Sequence, residues 1–236
     1  MAITEAIILA GGLGTRLRES VPDLPKCLAP VAGRPFLHYV IDHFKKQGIG
    51  KFIFAAGYKS EMIEAYLKSL PKGISWELSV ETEPLGTGGA IRLACSRLQD
   101  RSALVLNGDT FFGIELSKLS VFHEAMTADC TLSLKPMRDF DRYGVVGLNP
   151  DGSIKSFFEK KFYRDGLING GIYALRVDVF LKEVLPVAFS FEKDYLEQFV
   201  DRRRIFGLVQ DQYFIDIGIP ADYERAQTEW TQLIKD

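Results

Sequence analysis

A glycine-rich loop carrying cations follows the first apolar segment of the chain. The letters AIILAGGLGTRLRES run from an apolar stretch into Gly11, Gly12 and Gly14, and then reach Arg16. Ligands of open α/β sheets bind beyond the carboxyl ends of strands, and glycines let backbone N–H groups approach a phosphate chain closely. Arg16 offers a planar fork and Lys26 a compact point charge. The loop is therefore predicted to bind a triphosphate.

Two familiar phosphate loops do not fit this stretch. A Walker loop needs GxxxxGK[ST], which is absent, and a dinucleotide fingerprint needs a third glycine where Leu17 stands. Pro22 and Pro25 bias their predecessors toward extended backbone, so the loop is predicted to be a long, irregular lid. A glycine turn with solvated basic side chains is the ordinary alternative, and the loop taken alone favours it.

Two aspartates, each placed after an apolar run, are candidate metal ligands. Asp109 closes LVLNGD and Asp216 closes YFID. Mg²⁺ takes one or two protein carboxylates and completes its shell with waters and phosphate oxygens. Either aspartate alone is more often a turn or cap residue. Their shared placement at the ends of apolar runs favours a metal site.

Composition limits the classes of protein to consider. The chain has 236 residues, 47% of them hydrophobic, which suits one compact domain. Its 29 basic and 31 acidic residues are interspersed, so no nucleic-acid partner is predicted. The cysteines form no CxxC pair, which fits a reducing compartment. The N-terminus shows neither a basic leader nor a membrane span, so a cytoplasmic protein with no membrane partner is expected.

Short β-rich runs alternate with helical patterns. The predicted strands cover 5–9, 51–55, 75–80, 103–106, 130–135, 144–148, 154–158, 167–174 and 205–209. The predicted helices cover 35–47, 60–70, 88–98, 192–199 and 220–233. Exposed loops are expected at 135–143 and 159–166. The alternation predicts a single-domain, three-layer α/β/α fold with a Rossmann-like mixed, mainly parallel sheet.

The stretch LAGGLGTRLRESVPDLPKCLAPVAGRP resembles the signature of the sugar-1-phosphate nucleotidyltransferases, GGxGTRL followed by PKxLxPVxGxP. The blocks EPLGTGGA, LVLNGDTFF, FFEKK, INGGIYAL and FIDIGIPADY match family blocks in family order. CLAP after Lys26 is a small departure that leaves the lysine in place. The resemblance implies the nucleotide-diphospho-sugar transferase fold, with one domain over 1–236, a nucleotide-binding part at about 1–110 and a sugar-binding part at about 111–220.

The resemblance also implies which residues bind the nucleotide and the metal. The expected nucleotide-binding residues lie in the glycine loop and the EPLGTGGA and LNGD blocks: Leu9, Ala10, Gly11, Gly12, Gly14, Thr15, Arg16, Lys26, Glu81, Gly86, Thr87, Asn107 and Asp109. Arg16, Lys26 and Asp109 are expected to be catalytic. Asp109 and Asp216 are expected to bind Mg²⁺.

Glu81 is a candidate for reading the base. It stands where many uridylyl- and thymidylyltransferases of the family carry a glutamine. The Watson–Crick edge of guanine presents two adjacent donors, which a carboxylate can accept in bidentate fashion. Glu81 therefore favours GTP over UTP or dTTP. The alternatives are that Glu83 reads the base, or that neither residue does.

FFEKK and INGGIY are the candidate sugar-binding blocks. By resemblance, Glu159 accepts hydrogen bonds from sugar hydroxyls and Lys160 holds the sugar phosphate, while Asn169 and Gly170 line the sugar. Lys161 could replace Lys160 after a shift of one residue. An exposed, charged strand end is the alternative interpretation of FFEKK.

Together these blocks imply attack of a sugar-1-phosphate oxygen on the α-phosphorus of a nucleoside triphosphate, with loss of pyrophosphate. No general base is needed, since the second pKa of a phosphate monoester is about 6. Arg16 and Mg²⁺ are expected to serve the leaving group, and Lys26 the α-phosphate or the incoming phosphate. The substrates are thus small molecules. A homodimer is possible, although no stretch indicates its interface.

Within the family, the short length, EPLGTGGAIRLA and SFEKDYLEQFV most resemble the D-glycero-D-manno-heptose 1-phosphate guanylyltransferases, which make GDP-heptose for bacterial surface polysaccharides. The alternatives are a mannose-1-phosphate guanylyltransferase, or a uridylyl- or thymidylyltransferase acting on a hexose or N-acetylhexosamine 1-phosphate. A nucleotide-sugar-using glycosyltransferase fits less well, because NGD lacks its usual acidic-x-acidic metal motif. A non-catalytic sugar-nucleotide sensor is the remaining alternative from another class.

Overall fold

A computed structural model describes residues 2–12, 17 and 21–233. For residues 232 and 233 it describes only the helical backbone. Its strands are, in chain order, β1 (Glu5–Leu9), β2 (Pro30–Val31), β3 (Arg34–Pro35), β4 (Lys51–Ala56), β5 (Ser75–Val80), β6 (Ser102–Asn107), β7 (Thr110–Phe112), β8 (Cys130–Phe140), β9 (Val145–Leu148), β10 (Ile154–Phe158), β11 (Tyr163–Arg176), β12 (Ile205–Val209) and β13 (Phe214–Asp216).

The helices alternate with these strands. The α-helices are α1 (Phe36–Lys46), α2 (Ser60–Lys68), α3 (Gly86–Cys95), α4 (Leu116–Ala125), α5 (Val177–Phe180), α6 (Glu197–Phe199) and α7 (Pro220–Leu233). A 3₁₀ turn covers Lys26–Leu28, and a π-helix covers Phe191–Leu196 immediately before α6. None of the helices within the described residues combines the length and apolarity needed to cross a bilayer.

One nine-stranded mixed sheet organises the described part of the chain. Its main path runs β10-β9-β11-β6-β1-β4-β5, and β8 and β12 join at the other side of β11. β1 pairs in parallel with both β4 and β6, whereas β11 runs antiparallel to β6 and β8. The chain moves from β1 to β4 and β5, and then returns to place β6 on the opposite side of β1. Such a reversal opens a crevice at the carboxyl ends of the strands.

Alternate residues of the central strands pack into different cores. Ile8 and Ile172 face a core formed with α1, α2, α4 and α7, whereas Ile7 and Tyr173 face a core formed with α3, α5 and the π-helix. A strand exposes successive side chains on opposite faces, so a sheet buried on both sides needs apolar residues at every position. The three-layer α/β/α architecture predicted from the sequence is confirmed.

Two predicted loops are partly strand. β8 continues to Phe140, and its far half pairs with the first residues of β11, starting from Tyr163 opposite Phe140. The expected loops at 135–143 and 159–166 are wrong in these parts. A strand pair that extends beyond the core keeps its backbone hydrogen bonds while its side chains remain solvated, so a polar sequence is compatible with it.

Helix α4 was not among the predicted helices. Its buried face carries Leu116 and Leu119, but also Ser120 and His123. These polar residues weaken the apolar periodicity on which helix prediction depends. The buried His123 Nδ1 lies 2.9 Å from the hydroxyl of Thr131 on β8, which gives the polar ring a partner.

Candidate active site

The carboxyl ends of β1, β4 and β6 lie side by side at the edge of the sheet. The register pairs Leu9 with Ala55 on one side and with Asn107 on the other. The N–H of Ala10 donates to the carbonyl of Ala55 (2.8 Å), and the N–H of Gly108 donates to the carbonyl of Leu9 (2.9 Å). The start of the glycine loop and the LNGD block therefore lie next to each other.

The glycines of the loop lie in two different environments. A Cβ on Gly11 would lie 2.9 Å from the backbone nitrogen of Gly57, so the packing of two backbones requires glycine there. Gly12, in contrast, has open space where a Cβ would stand. Gly14, Thr15 and Arg16 lie outside the described residues, and their expected roles stay predictions.

Lys26 brings the two candidate metal ligands together. It begins the 3₁₀ turn after Pro25, its Nζ donates to Oδ2 of Asp109, and it lies 3.7 Å from Oδ1 of Asp216. The antiparallel pair of β13 with β7, in which Asp216 lies opposite Thr110, places the second carboxylate beside the first. We refer to Lys26, Asp109 and Asp216 as the charged centre.

Two residues that the sequence did not indicate surround Asp216. Arg142 Nη2 and Tyr143 Oη each lie 3.5 Å from Asp216 Oδ2, while the N–H of Gly218 donates to Oδ1 at 2.7 Å. Arg142 also forms an ion pair with Asp222, at the start of α7. Burial, followed by the charge of Asp216, raises the pKa of Tyr143 to about 12. These contacts fix the position of the Asp216 carboxylate.

The charged centre fits a hard divalent cation that is shared with phosphates. The side chains of Asp109 and Asp216 are 34% and 18% exposed, and both line a cavity. Among the residues that the structure describes, no group of three or more His, Cys, Asp or Glu side chains forms a self-sufficient metal site. A pair of carboxylates facing open space suits an ion that completes its shell with waters and phosphate oxygens.

The cavity has a volume of about 550 Å³ and joins the two sets of predicted residues. The lining residues from the nucleotide and metal set are Lys26, Asn107, Asp109 and Asp216. The lining residues from the sugar set are Glu159, Lys160, Asn169 and Gly170. Residues that lie far apart in the chain and are predicted to bind two different reactants thus face one space.

The turn between β10 and β11 presents Glu159 and Lys160 to this cavity. The hydroxyl of Tyr163 donates to the carbonyl of Glu159 (2.9 Å), which fixes the turn. Lys161 does not line the cavity, and its Nζ lies 5.4 Å from the centre of the Tyr163 ring. Of the two lysines considered for the sugar phosphate, the geometry favours Lys160.

The glycines of EPLGTGGA pack against a neighbouring segment. Helix α3 begins at Gly86, two residues earlier than expected, and a Cβ on Gly88 would collide with the ring of Phe189. The N–H of Gly88 donates to the carbonyl of Phe189 (2.9 Å), and Thr87 Oγ1 accepts from the N–H of Phe191 (2.9 Å). The N–H of Gly88 is therefore used within the protein, whereas nucleotide binding by Gly86 and Thr87 stays a prediction.

Glu81 lies beside the glycine loop. Its Oε2 accepts from the N–H of Leu85 (3.1 Å), and its Oε1 would be 3.4 Å from a Cβ on Gly11. The backbone N–H of Glu81 donates to Ala56, at the end of β4 (2.9 Å). The carboxylate is thus held at the edge where the nucleotide is expected, while Glu83 is exposed.

Burial shifts the pKa values of several histidine and cysteine side chains. Burial lowers the pKa of His123 to about 4, so its ring is neutral near pH 7. Burial also raises the pKa of Cys27 and that of Cys95 to about 12, which leaves both as thiols. These groups are poorly suited to base or nucleophile chemistry at neutral pH, which agrees with a reaction that needs neither.

A family model described as Nucleotidyl transferase matches residues 5–232. The chain belongs to the nucleotidyl transferase family. The membership and the class of enzyme predicted from the sequence are confirmed. Nucleotidyl transferases generally use divalent metal ions, which agrees with the two carboxylates of the charged centre.

Several members of the family are similar over nearly their whole length. The D-glycero-alpha-D-manno-heptose 1-phosphate guanylyltransferase of Aneurinibacillus thermoaerophilus is 48% identical, over 95% of this chain and 97% of the relative. The protein of the same name from Campylobacter jejuni is 47% identical, over 93% and 96%. The crystal structure of HddC from Yersinia pseudotuberculosis, complexed with GMP-PN, has a TM-score of 0.86 and 34% identity, over 97% of this chain and 100% of HddC.

Proposed function

We propose that this nucleotidyl transferase joins GTP to D-glycero-D-manno-heptose 1-phosphate, giving GDP-heptose and pyrophosphate for the synthesis of a bacterial surface glycan. The observation that carries the proposal is the identity of 48% and 47% to two relatives of that name, each matched over nearly its full length. The nucleotide-binding part is proposed at about 1–110 and the sugar-binding part at about 111–220.

Guanine as the base is supported from two sides. The similar HddC structure holds GMP-PN, a guanine nucleotide. In this chain, Glu81 is anchored to Leu85 and lies beside Gly11, where its carboxylate can accept from the adjacent N1–H and amine of guanine. Uracil and thymine present a single donor flanked by acceptors, which a carboxylate would repel.

The charged centre is suited to an in-line displacement between two polyanions. The sugar phosphate is already anionic near neutral pH, so the protein must align the reactants and neutralise their charge rather than remove a proton. Asp109 and Asp216 would hold Mg²⁺, which, when bound, neutralises charge on the triphosphate and the departing pyrophosphate. Lys26 lies between these carboxylates and can move its contacts to a phosphate oxygen as charge develops there.

The sugar 1-phosphate binds beside Glu159 and Lys160. Both line the same cavity as the charged centre, so a sugar held there has its phosphate within the same space as Lys26. Lys160 would bind the phosphate and Glu159 would accept from sugar hydroxyls. The proposed substrates are small molecules, and neither a nucleic acid nor a membrane is needed as a partner.

A substrate matrix tests the proposed function. GTP, ATP, CTP, UTP and dTTP are each combined with heptose, mannose, glucose and N-acetylglucosamine 1-phosphates, and released pyrophosphate is measured. We expect the highest kcat/KM for GTP with the heptose phosphate, loss of turnover with EDTA, and recovery with Mg²⁺. A preference for UTP would overturn the base assignment, and a preference for mannose 1-phosphate would replace the sugar. A thermal shift with GTP but no turnover would indicate a sensor.

A further inference from the structure

The π-helix forms a wall of the cavity that carries its own charged side chains. Glu192 and Lys193 lie in the π-helix and Glu197 follows it, and all three line the cavity. None of them belongs to the residues expected to bind the nucleotide, the metal or the sugar phosphate. A π-helix is rare and often occurs at functional sites.

Local contacts fix the orientation of this helix. Ser190 Oγ accepts from the N–H of Lys193 (3.2 Å), and Asp194 Oδ2 accepts from the N–H of Ser190 (2.7 Å). The rings of Phe191 and Tyr195 are buried and stack at 5.3 Å. Since these residues occupy the inner face, Glu192 is held on the outer face, toward the cavity.

The carboxylate of Glu192 is oriented by a small hydrogen-bond network. Its Oε1 accepts from the Tyr173 hydroxyl (3.0 Å) and from Asn169 Nδ2 (3.2 Å). Asn169 Nδ2 also donates to the Tyr173 hydroxyl (2.9 Å), and the N–H of Gly171 donates to Asn169 Oδ1 (3.1 Å). We refer to Asn169, Tyr173 and Glu192 as the carboxylate network.

This network leaves one acceptor for a ligand. Both protein hydrogen bonds go to Oε1, and Oε2 of Glu192 has no hydrogen-bond partner within the described part of the chain. The amide of Asn169 has both of its polar atoms engaged, so its contacts orient Glu192. A fixed carboxylate oxygen facing a cavity can accept from hydroxyl groups, and such charge-assisted bonds are stronger than neutral ones.

We propose that Glu192 is a sugar-binding residue, which accepts hydrogen bonds from hydroxyls of the sugar while Asn169 and Tyr173 hold it in position. The inference rests on the proposed function and adds a residue to the same site. The phosphate of the reactant is excluded as its partner because two anions repel each other, and three lysines, Lys26, Lys160 and Lys193, line the same cavity as cations for the phosphate.

Steady-state kinetics of Glu192→Gln and Glu192→Ala tests this inference. In the glutamine variant the carbonyl can replace Oε1, so an NH₂ donor takes the place of the free acceptor, while the shape is kept. We expect the KM for heptose 1-phosphate to rise about tenfold for glutamine and more for alanine, the scale of one lost charged hydrogen bond. The KM for GTP should stay within about twofold on the same reasoning.

Glu64→Gln is the matched control. Glu64 lies on α2, where its side chain pairs with Lys68 at 2.7 Å, and it does not line the cavity. This variant should keep both KM values. An unchanged heptose-phosphate KM in both Glu192 variants of an active enzyme would overturn the inference alone. So would a matching rise in the KM for GTP. Absence of turnover in the wild-type chain with every sugar phosphate would overturn the proposed function and this inference together.

Discussion

The cavity joins two regions whose side chains are suited to different chemistry. In the charged centre, the amino group of Lys26 lies between the carboxyl groups of Asp109 and Asp216. In the carboxylate network, a single charge is oriented by a neutral amide and a neutral hydroxyl. The first arrangement suits charge that develops during phosphoryl transfer, whereas the second suits hydroxyl groups that do not change during the reaction.

This difference separates the kinetic consequences of losing a residue. A contact that strengthens only in the transition state affects kcat, whereas a contact made equally in the ground state affects KM. We therefore expect variants of the charged centre to lose turnover and variants of the carboxylate network to lose affinity for the sugar phosphate.

Lys26→Ala should give the largest loss. The Lys26 side chain is 11% exposed, and its ammonium group contacts Asp109 and lies 3.7 Å from Asp216, so the substitution leaves the two carboxylates without their shared cation. We expect kcat to fall roughly a hundredfold or more, the scale of one electrostatic catalytic group, with a smaller change in either KM. Pyrophosphate release at saturating substrates measures it, with circular dichroism to confirm the fold. A kcat near that of the wild type would remove Lys26 from the mechanism.

Asp216→Asn should act chiefly through the metal. The amide keeps the shape and can still accept from the N–H of Gly218, but it lacks the charge that binds a divalent ion. We expect the Mg²⁺ concentration for half-maximal rate to rise by at least about tenfold, with partial recovery of turnover at high Mg²⁺. A Mg²⁺ titration of the initial rate measures this change. An unaltered titration midpoint would contradict Asp216 as a ligand.

Several strands of the fold could be predicted because their sequences are locally consistent. The bounds predicted for β1, β5, β10 and β12 match the structure. The last three are short β-rich runs that are followed directly by a polar residue, and β1 is an apolar run that is followed by the glycine-rich loop. The outer half of β8 could not be predicted in this way. Its polar side chains are solvated, and its strand conformation depends on pairing with β11, a segment distant in sequence.

The candidate site likewise contains residues that the sequence indicates and residues that only the fold reveals. Lys26, Asp109 and Asp216 could be identified because each lies within a contiguous motif with a typical order of residues. Arg142 lies in none of the quoted blocks, and Glu192 lies in SFEKDYLEQFV, a block to which no binding role was assigned. Both reach the site through pairing and packing between distant segments. Their charges are ordinary surface charges in the sequence. Only the three-dimensional arrangement shows that Asp216 lies beside Arg142 and that Asn169 and Tyr173 lie beside Glu192.

Glu81→Gln tests whether the Glu81 carboxylate, which lies outside both regions, selects the base. The glutamine keeps an acceptor for the N–H of Leu85 but replaces one anionic acceptor with a donor. We expect the ratio of kcat/KM for GTP to that for UTP to fall about tenfold, which is the scale of one mispaired contact in a specific site. The KM for heptose 1-phosphate should not change. A ratio equal to that of the wild type would leave the base to another residue, such as Glu83.

Tyr173→Phe should give the smallest effect. It is the most sensitive test of whether the carboxylate network affects KM without affecting kcat. The change removes the hydroxyl that donates to Glu192 at 3.0 Å, while the ring can still pack against Phe191. Asn169 continues to hold the carboxylate, so we expect the heptose-phosphate KM to rise only about threefold, with kcat unchanged. This rise should be smaller than that of Glu192→Gln.

Tyr195→Phe is a matched control for that small effect. Tyr195 stacks on the same Phe191, is also buried, and its hydroxyl has no hydrogen-bond partner in the part of the chain that the structure describes. Equal KM changes in the two tyrosine variants would mean that ring packing, not the bond to Glu192, sets the affinity. A KM change confined to Tyr173→Phe would instead show that the neutral Tyr173 hydroxyl affects sugar binding through the Glu192 carboxylate that it orients. An unchanged kcat in this variant would show that catalysis at the charged centre does not depend on that hydroxyl.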